Sequence, residues 1–126
     1  MTLETRTFGK QGESEAVRFL QGRGYRIVDR NVRLLRGEID LVAYDGNVLV
    51  FIEVKARRNT RFGGAPWSVD ARKQARLSRL AVQYLTRRRL PDCLCRFDLV
   101  LLQGAPDRGM EIQLIQNAFE TRGEWF

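Results

Sequence analysis

Four residues in one short stretch could do chemistry: Glu38, Asp40, Glu53 and Lys55. Asp40 interrupts one apolar run, and Glu53 and Lys55 close a second that begins at Val48. Asp45-Gly46 lies between the runs. Asp-Gly between such segments predicts a hairpin, because the tight turn needs positive φ at its central positions. With Asp45 and Gly46 as the loop, Tyr44 pairs with Asn47, Asp40 with Phe51 and Glu38 with Glu53. Side chains alternate along a strand, so Glu38, Asp40, Glu53 and Lys55 then share one face. Opposed like charges repel, and carboxylates on an apolar surface are costly without compensation. A bound divalent cation would supply it. A three-residue loop would instead set Asp40 and Glu53 on opposite faces, unless a bulge intervened.

The chain has no histidine, which excludes Ser-His-Asp and Cys-His nucleophiles and every imidazole-ligated metal. Carboxylates and lysine remain for catalysis. Oxygen-only ligation selects hard ions, so Mg²⁺ or Mn²⁺ is the expected cofactor. A net charge of +7 and a pI near 10.2 point to a polyanionic partner, of which phosphate backbones are the commonest. That charge comes from nineteen arginines and three lysines, Lys10, Lys55 and Lys73. A lysine beside Glu53 in so arginine-rich a chain fits a site that uses a compact ammonium in place of a planar fork. Genomic base composition would give the same bias.

The elements that must position these groups follow from periodicity. The 126 residues, 44% of them apolar, suit a single domain over 1–126. No apolar run approaches the roughly 20 residues that cross a bilayer, and residues 1–12 lack the apolar segment of a secretory signal, so no membrane partner and a cytoplasmic location are expected. Cys93 and Cys95, one residue apart, read as reduced packing residues better than as a disulfide or zinc site.

Residues 9–23 read as a helix with Ala16, Val17 and Leu20 as its apolar stripe. Glu13 lies one turn before that stripe, either as a first-turn carboxylate favoured by the helix dipole or as a functional group. Residues 25–29 alternate as a strand, with a turn-prone Arg30-Asn31 after it. Residues 56–68 read as a loop whose Arg57, Arg58, Arg61, Phe62 and Trp67 suit phosphate contact and base stacking, or equally a solvated surface loop. Residues 69–88 form the strongest helix, with Val69, Leu77, Leu80, Ala81, Tyr84 and Leu85 on one side and Arg72, Arg76, Arg79 and Arg87 mostly elsewhere. Lys73 falls on the inward side, where it either snorkels outward or reaches the carboxylates. Strands at 95–102 and 110–116 complete the order αβββαββ, an α/β sandwich on a mixed five-stranded sheet.

Asp40, twelve intervening residues and Glu53-Val54-Lys55 resemble the PD-(D/E)XK motif of the restriction-endonuclease-like fold. The likeness extends through Gly12-Glu13, Ala16, Phe19-Leu20, Gly24-Tyr25, Asn31, Gly37-Glu38, Phe62-Gly63, Lys73, Arg96-Phe97-Asp98 and Asn117-Ala118-Phe119. As a set these are similar to the bacterial YraN-type family, which resembles archaeal Holliday-junction resolvases and tRNA-endonuclease-like domains. The resemblance implies a metal-dependent endonuclease acting on DNA, branched or single-stranded. It implies that Asp40 and Glu53 ligate Mg²⁺, that Lys55 orients or activates water, and that Glu13 completes the site. Ile39 stands where the motif often has proline. On this reading Arg57, Arg58, Arg61, Lys73 and Arg76 hold phosphates, with nucleic acid the partner and DNA ahead of RNA. Resolvase-like activity would require a symmetric homodimer. An alternative keeps the fold as a non-catalytic nucleic-acid-binding module. A third makes the charges an ion-pair network, Lys55 neutralising Glu53, in an interaction domain.

Overall fold

The structure, a computed structural model, describes residues 3–57, 70–90, 93–105 and 109–119, the side chains of 3–11, 57, 105, 109 and 110 excepted. Its elements are α1 (Leu3–Gly22), β1 (Arg26–Leu34), β2 (Gly37–Asp45), β3 (Val48–Arg57), α2 (Ala71–Arg88), β4 (Cys95–Ala105) and β5 (Gly109–Ile115). The element order is the one read from periodicity. The strands lie in the order β1-β2-β3-β4-β5, with β3 and β4 parallel and the other neighbours antiparallel. No helix among the described residues is long and apolar enough to cross a membrane.

Alternation along β3 divides the core. Leu49 and Phe51 pack on one side with Leu80, Ala81, Tyr84 and Leu85 of α2, while Val50 and Ile52 pack on the other with Ala16, Val17 and Leu20 of α1. Each fully buried Leu, Ile or Phe contributes about 1.5–3 kcal/mol by leaving water. Helix α2 starts at its cap: the Asp70 carboxylate accepts the Lys73 N–H at 2.8 Å, satisfying a donor that the first turn leaves free. Arg89 in a left-handed conformation (φ +56°) ends the helix, its N–H bonded to Leu85 and Thr86 carbonyls. Gly12 lets α1 approach the sheet, since a Cβ there would lie 3.1 Å from Leu102 Cδ1 and 3.3 Å from Ala56 Cβ.

Three local expectations are corrected. The β2–β3 loop is Gly46-Asn47, not Asp45-Gly46: Asp45 pairs with Val48, Tyr44 with Leu49 and Val42 with Phe51. Gly46 takes the positive φ (+63°) at the first central position, where a type II′ turn places its glycine. Strand β1 runs through the turn-prone Arg30-Asn31, because Asn31 adopts a left-handed backbone (φ +52°) within it, a conformation asparagine tolerates. Ala56 and Arg57 extend β3 instead of opening the loop, their backbone paired with Leu102 and Gln103 of β4.

Candidate functional site

The site forms where β2 and β3 part. Their ladder runs from Asp45–Val48 to Leu41–Ile52, and one further step would set Asp40 against Glu53. There the Asp40 side chain replaces the ladder, Oδ2 accepting the Val54 N–H at 2.8 Å. The corrected register differs from the expected one by two residues, an even number, so Asp40 and Glu53 stay on matching positions although their partners change.

A kink in the neighbouring strand contributes. Arg30 pairs with Leu41 and Val32 with Ile39, yet Leu41 packs on the α1 side and Ile39 on the α2 side. The alternation slips between them, at the level of Asn31 and Asp40. The simple one-face picture of Glu38 and Asp40 is therefore replaced by a bend that turns the Asp40 carboxylate toward β3. Gly37, beyond the bend, lies against Leu80, with a virtual Cβ only 3.0 Å from Leu80 Cδ1.

Glu53 and Lys55 continue the α2-side positions of β3. Lys73, near the start of α2, reaches inward: its Nζ is 2.9 Å from Glu53 Oε1, and Lys55 Nζ is 3.7 Å from the same oxygen. Of the two outcomes left open for Lys73, the structure has the second. Glu53 Oε2 is buried without a hydrogen-bond partner. Glu13 approaches from α1, where Gly12 brings that helix close; its Oε1 accepts from Asn31 Nδ2 at 2.8 Å and pairs with Arg30 at 3.5 Å.

The charges are unevenly balanced. Burial pushes the Asp40 carboxyl up to about 6 from its usual 3.8; the Val54 N–H works against this, and the charges of Glu53, Glu13 and Glu38 add to it. The Lys55 ammonium is held below the ordinary lysine range by its hydrogen bond with Lys73 and then by burial, with Glu53 and Asp40 pulling the other way. Burial disfavours the charge on Lys73, but its bonds to Lys55 and Glu53 outweigh that and hold its pKa up. A cleft of about 430 Å³, counting its open mouth, adjoins these groups; Glu38, Asp40 and Glu53 line it with Phe51, Leu77 and Phe119. Arg76 is exposed on α2. Arg58, Arg61, Phe62 and Trp67 lie outside the described residues, as does the Arg57 side chain.

A second polar cluster was visible in the sequence only as the motif Arg96-Phe97-Asp98. Asp98, 2% exposed, accepts the Tyr25 hydroxyl at 2.7 Å, Arg96 Nε at 2.9 Å and the Asn117 N–H at 2.9 Å. Arg96 also reaches Asp45 at 2.8 Å, and Gln116 donates to the Tyr25 hydroxyl at 2.9 Å. No local signal could reveal pairings this distant in sequence. Both cysteines are free thiols, and burial pushes that of Cys95 up to about 12.

Comparison with known proteins gives the chain its relatives. A family model described as "Uncharacterised protein family UPF0102" matches residues 12–102, a span holding all four carboxylates and both lysines of the site. A UPF0102 protein of Symbiobacterium thermophilum is 51% identical over 117 residues, covering 93% of this chain and 99% of the relative. A UPF0102 protein of Syntrophus aciditrophicus is 43% identical over 120 residues, covering 95% and 93%. One of Caldicellulosiruptor saccharolyticus is 39% identical over 118 residues, covering 93% and 100%. On the strength of this near full-length match, the chain belongs to the UPF0102 family, the YraN-type family that its motifs resemble.

Proposed function

We propose that the protein is a divalent-cation-dependent endonuclease with a restriction-endonuclease-like fold, acting on DNA. The observation that carries this reading is the convergence of Asp40 and Glu53 at the parting of β2 and β3, with Glu53 Oε2 buried and unpartnered. Those residues fit a cation, because carboxylates are gathered there with fewer donors than they need. Among the described residues no three such groups are gathered for an ion. Mg²⁺ commonly takes only one or two carboxylates and completes its shell with water and substrate phosphate.

Asp40 and Glu53 would hold the ion, and Glu13 adds negative charge beside them. When bound, the ion supplies Lewis-acid stabilisation of charge on the phosphate. Lys73 orients Glu53 through Oε1 and leaves Oε2 available. Lys55 is placed to stabilise charge developing on the phosphate or to position the nucleophile. Arg57, Arg58, Arg61 and Arg76 would supply sequence-independent phosphate contacts. Activity on paired strands would call for a homodimer.

One observation favours a non-catalytic nucleic-acid-binding module: Lys73 and Lys55 already neutralise Glu53 in part. Cleavage of end-labelled four-way junctions, flaps, single-stranded DNA and RNA with Mg²⁺ or Mn²⁺ distinguishes the two. The nuclease reading predicts metal-dependent products that fall on the order of a thousandfold in rate in Glu53→Gln or Asp40→Asn. Binding of these substrates without cleavage, unchanged or tighter in those variants when metal is absent, would establish the module instead.

A further inference from the structure

The β1–β2 turn consists of Leu35 and Arg36, between the paired Leu34 and Gly37. Leu35 is 72% exposed. A lone exposed leucine is ordinary on a protein surface, but three features distinguish this one. Arg36 has φ +69°, a left-handed conformation that costs a residue with a Cβ about 1–2 kcal/mol, so a long cation stands where glycine would be at ease. Gln83 of α2 grips the turn in both directions: the Leu35 N–H donates to Gln83 Oε1 at 3.0 Å, and Gln83 Nε2 donates to the Leu35 carbonyl at 3.3 Å. Arg87, one helical turn later, donates to the Arg33 carbonyl at 3.3 Å. The result is an apolar tip on a fixed backbone, set among the exposed cations Arg33, Arg36 and Arg87.

The turn also lies at the site's end of the sheet. Asp40 follows Leu35 by five residues, through the turn and the start of β2, which places them at most about 16 Å apart at a strand rise of ~3.3 Å per residue. That is no more than about five base steps of stacked duplex at ~3.4 Å each.

We propose that this turn is a wedge for nucleic acid: Leu35 enters between bases at an unpaired or weakly stacked step while Arg33 and Arg36 hold the flanking phosphates. Inserted leucines unstack base steps in this way, and the basic flanks supply the attraction that an apolar tip lacks. The substrate class is then branched, flapped or mismatched nucleic acid in preference to continuous duplex. The inference rests on the nucleic-acid partner of the proposed function and does not depend on cleavage.

The test places 2-aminopurine at successive steps around a four-way junction, a flap and a matched duplex, and titrates in the full-length protein without divalent ions. The expected result is a several-fold fluorescence rise at a step beside the branch, lost in Leu35→Ala and restored in Leu35→Met. Affinity for the continuous duplex should change by no more than about twofold, since its phosphate contacts remain. A stable complex with no rise, or a rise that persists in Leu35→Ala, overturns the wedge and leaves the nuclease reading standing. A Leu35-dependent rise with no cleavage after either Mg²⁺ or Mn²⁺ is added upholds the wedge and removes the nuclease reading. A free protein that sediments as a dimer and becomes monomeric in Leu35→Ala assigns the side chain to a contact between copies, which also overturns the wedge. Failure to bind any substrate overturns both.

Discussion

The same sheet holds two groups of carboxylates that are treated in opposite ways. Around Asp98 the donors are abundant: Tyr25, Arg96 and the Asn117 N–H converge on one buried side chain, and Gln116 and Asp45 satisfy the groups behind them. Around Asp40 and Glu53 they run short. Glu53 keeps a buried oxygen without a partner, and Asp40 holds its proton up to about pH 6 because burial and three neighbouring carboxylates outweigh the Val54 N–H. A carboxylate that serves the fold is surrounded by donors from distant elements, as buried charge requires. One that serves a ligand is left short, and strongly perturbed ionisation in a cleft accompanies such sites.

If this contrast is right, substitutions in the two clusters should move stability in opposite directions. The largest change is expected from Asp98→Ala. It leaves the Arg96 guanidinium with Asp45 alone and the Tyr25 hydroxyl and Asn117 N–H without their acceptor, and urea unfolding should show a loss of about 3–5 kcal/mol. A loss below about 1 kcal/mol would mean that the satisfied cluster contributes no more than a surface pair.

Asp40→Asn should do the reverse. The amide oxygen can still accept the Val54 N–H, while the uncompensated charge is gone. Because the folded pKa of Asp40, about 6, lies above its usual 3.8, the folded chain holds a proton that the unfolded chain releases between those values. Its contribution to stability is therefore fully present below about pH 4 and is lost as pH rises through about 6. At pH 7.5 without metal the variant should be more stable by on the order of 2 kcal/mol, and the native chain's decline between pH 4 and 7 should be shallower in it. Equal pH profiles for the two proteins would place Asp40 among ordinary solvated carboxylates.

Tyr25→Phe is the finest probe. It removes one hydroxyl from a network that retains the Arg96–Asp98 pair, so thermal unfolding should register a loss of about 1–2 kcal/mol.

What could be read from the sequence divides along the same line. The Asp40, Glu53 and Lys55 group was legible because it is local: a strong hairpin signal, alternation and a misplaced carboxylate sufficed. The register was not, since Asp45-Gly46 and Gly46-Asn47 are overlapping turn dipeptides and only the backbone decides which closes the loop. The single face expected for Glu38, Asp40, Glu53 and Lys55 gives way to the bend at Asn31, while Asp40 and Glu53 still fall at one level of the sheet because the two registers differ by an even step. The bend at Asn31 was hidden because a left-handed residue inside a strand leaves no periodic trace, and Arg30-Asn31 looked like a strand's end. Lys73 was placed on the inward side by its spacing from Leu77, but its contact with Glu53 depends on the angle at which α2 crosses the sheet. The Asp98 cluster joins residues as much as 91 positions apart, beyond the reach of any windowed pattern.

The most direct test of the central claim is calorimetric titration of the native protein with Mn²⁺ at pH 7.5, repeated with Asp40→Asn and Glu53→Gln and read together with thermal unfolding. The account predicts saturable binding of at least one ion by the native chain, lost in both variants. At ten times the dissociation constant the ion should raise native stability by about 1.4 kcal/mol. An Asp40→Asn variant more stable than the native chain without metal, yet unresponsive to Mn²⁺, would complete the pattern. A native chain that takes up no Mn²⁺, or variants that bind it equally well, would contradict the claim that Asp40 and Glu53 are held short of donors for a cation.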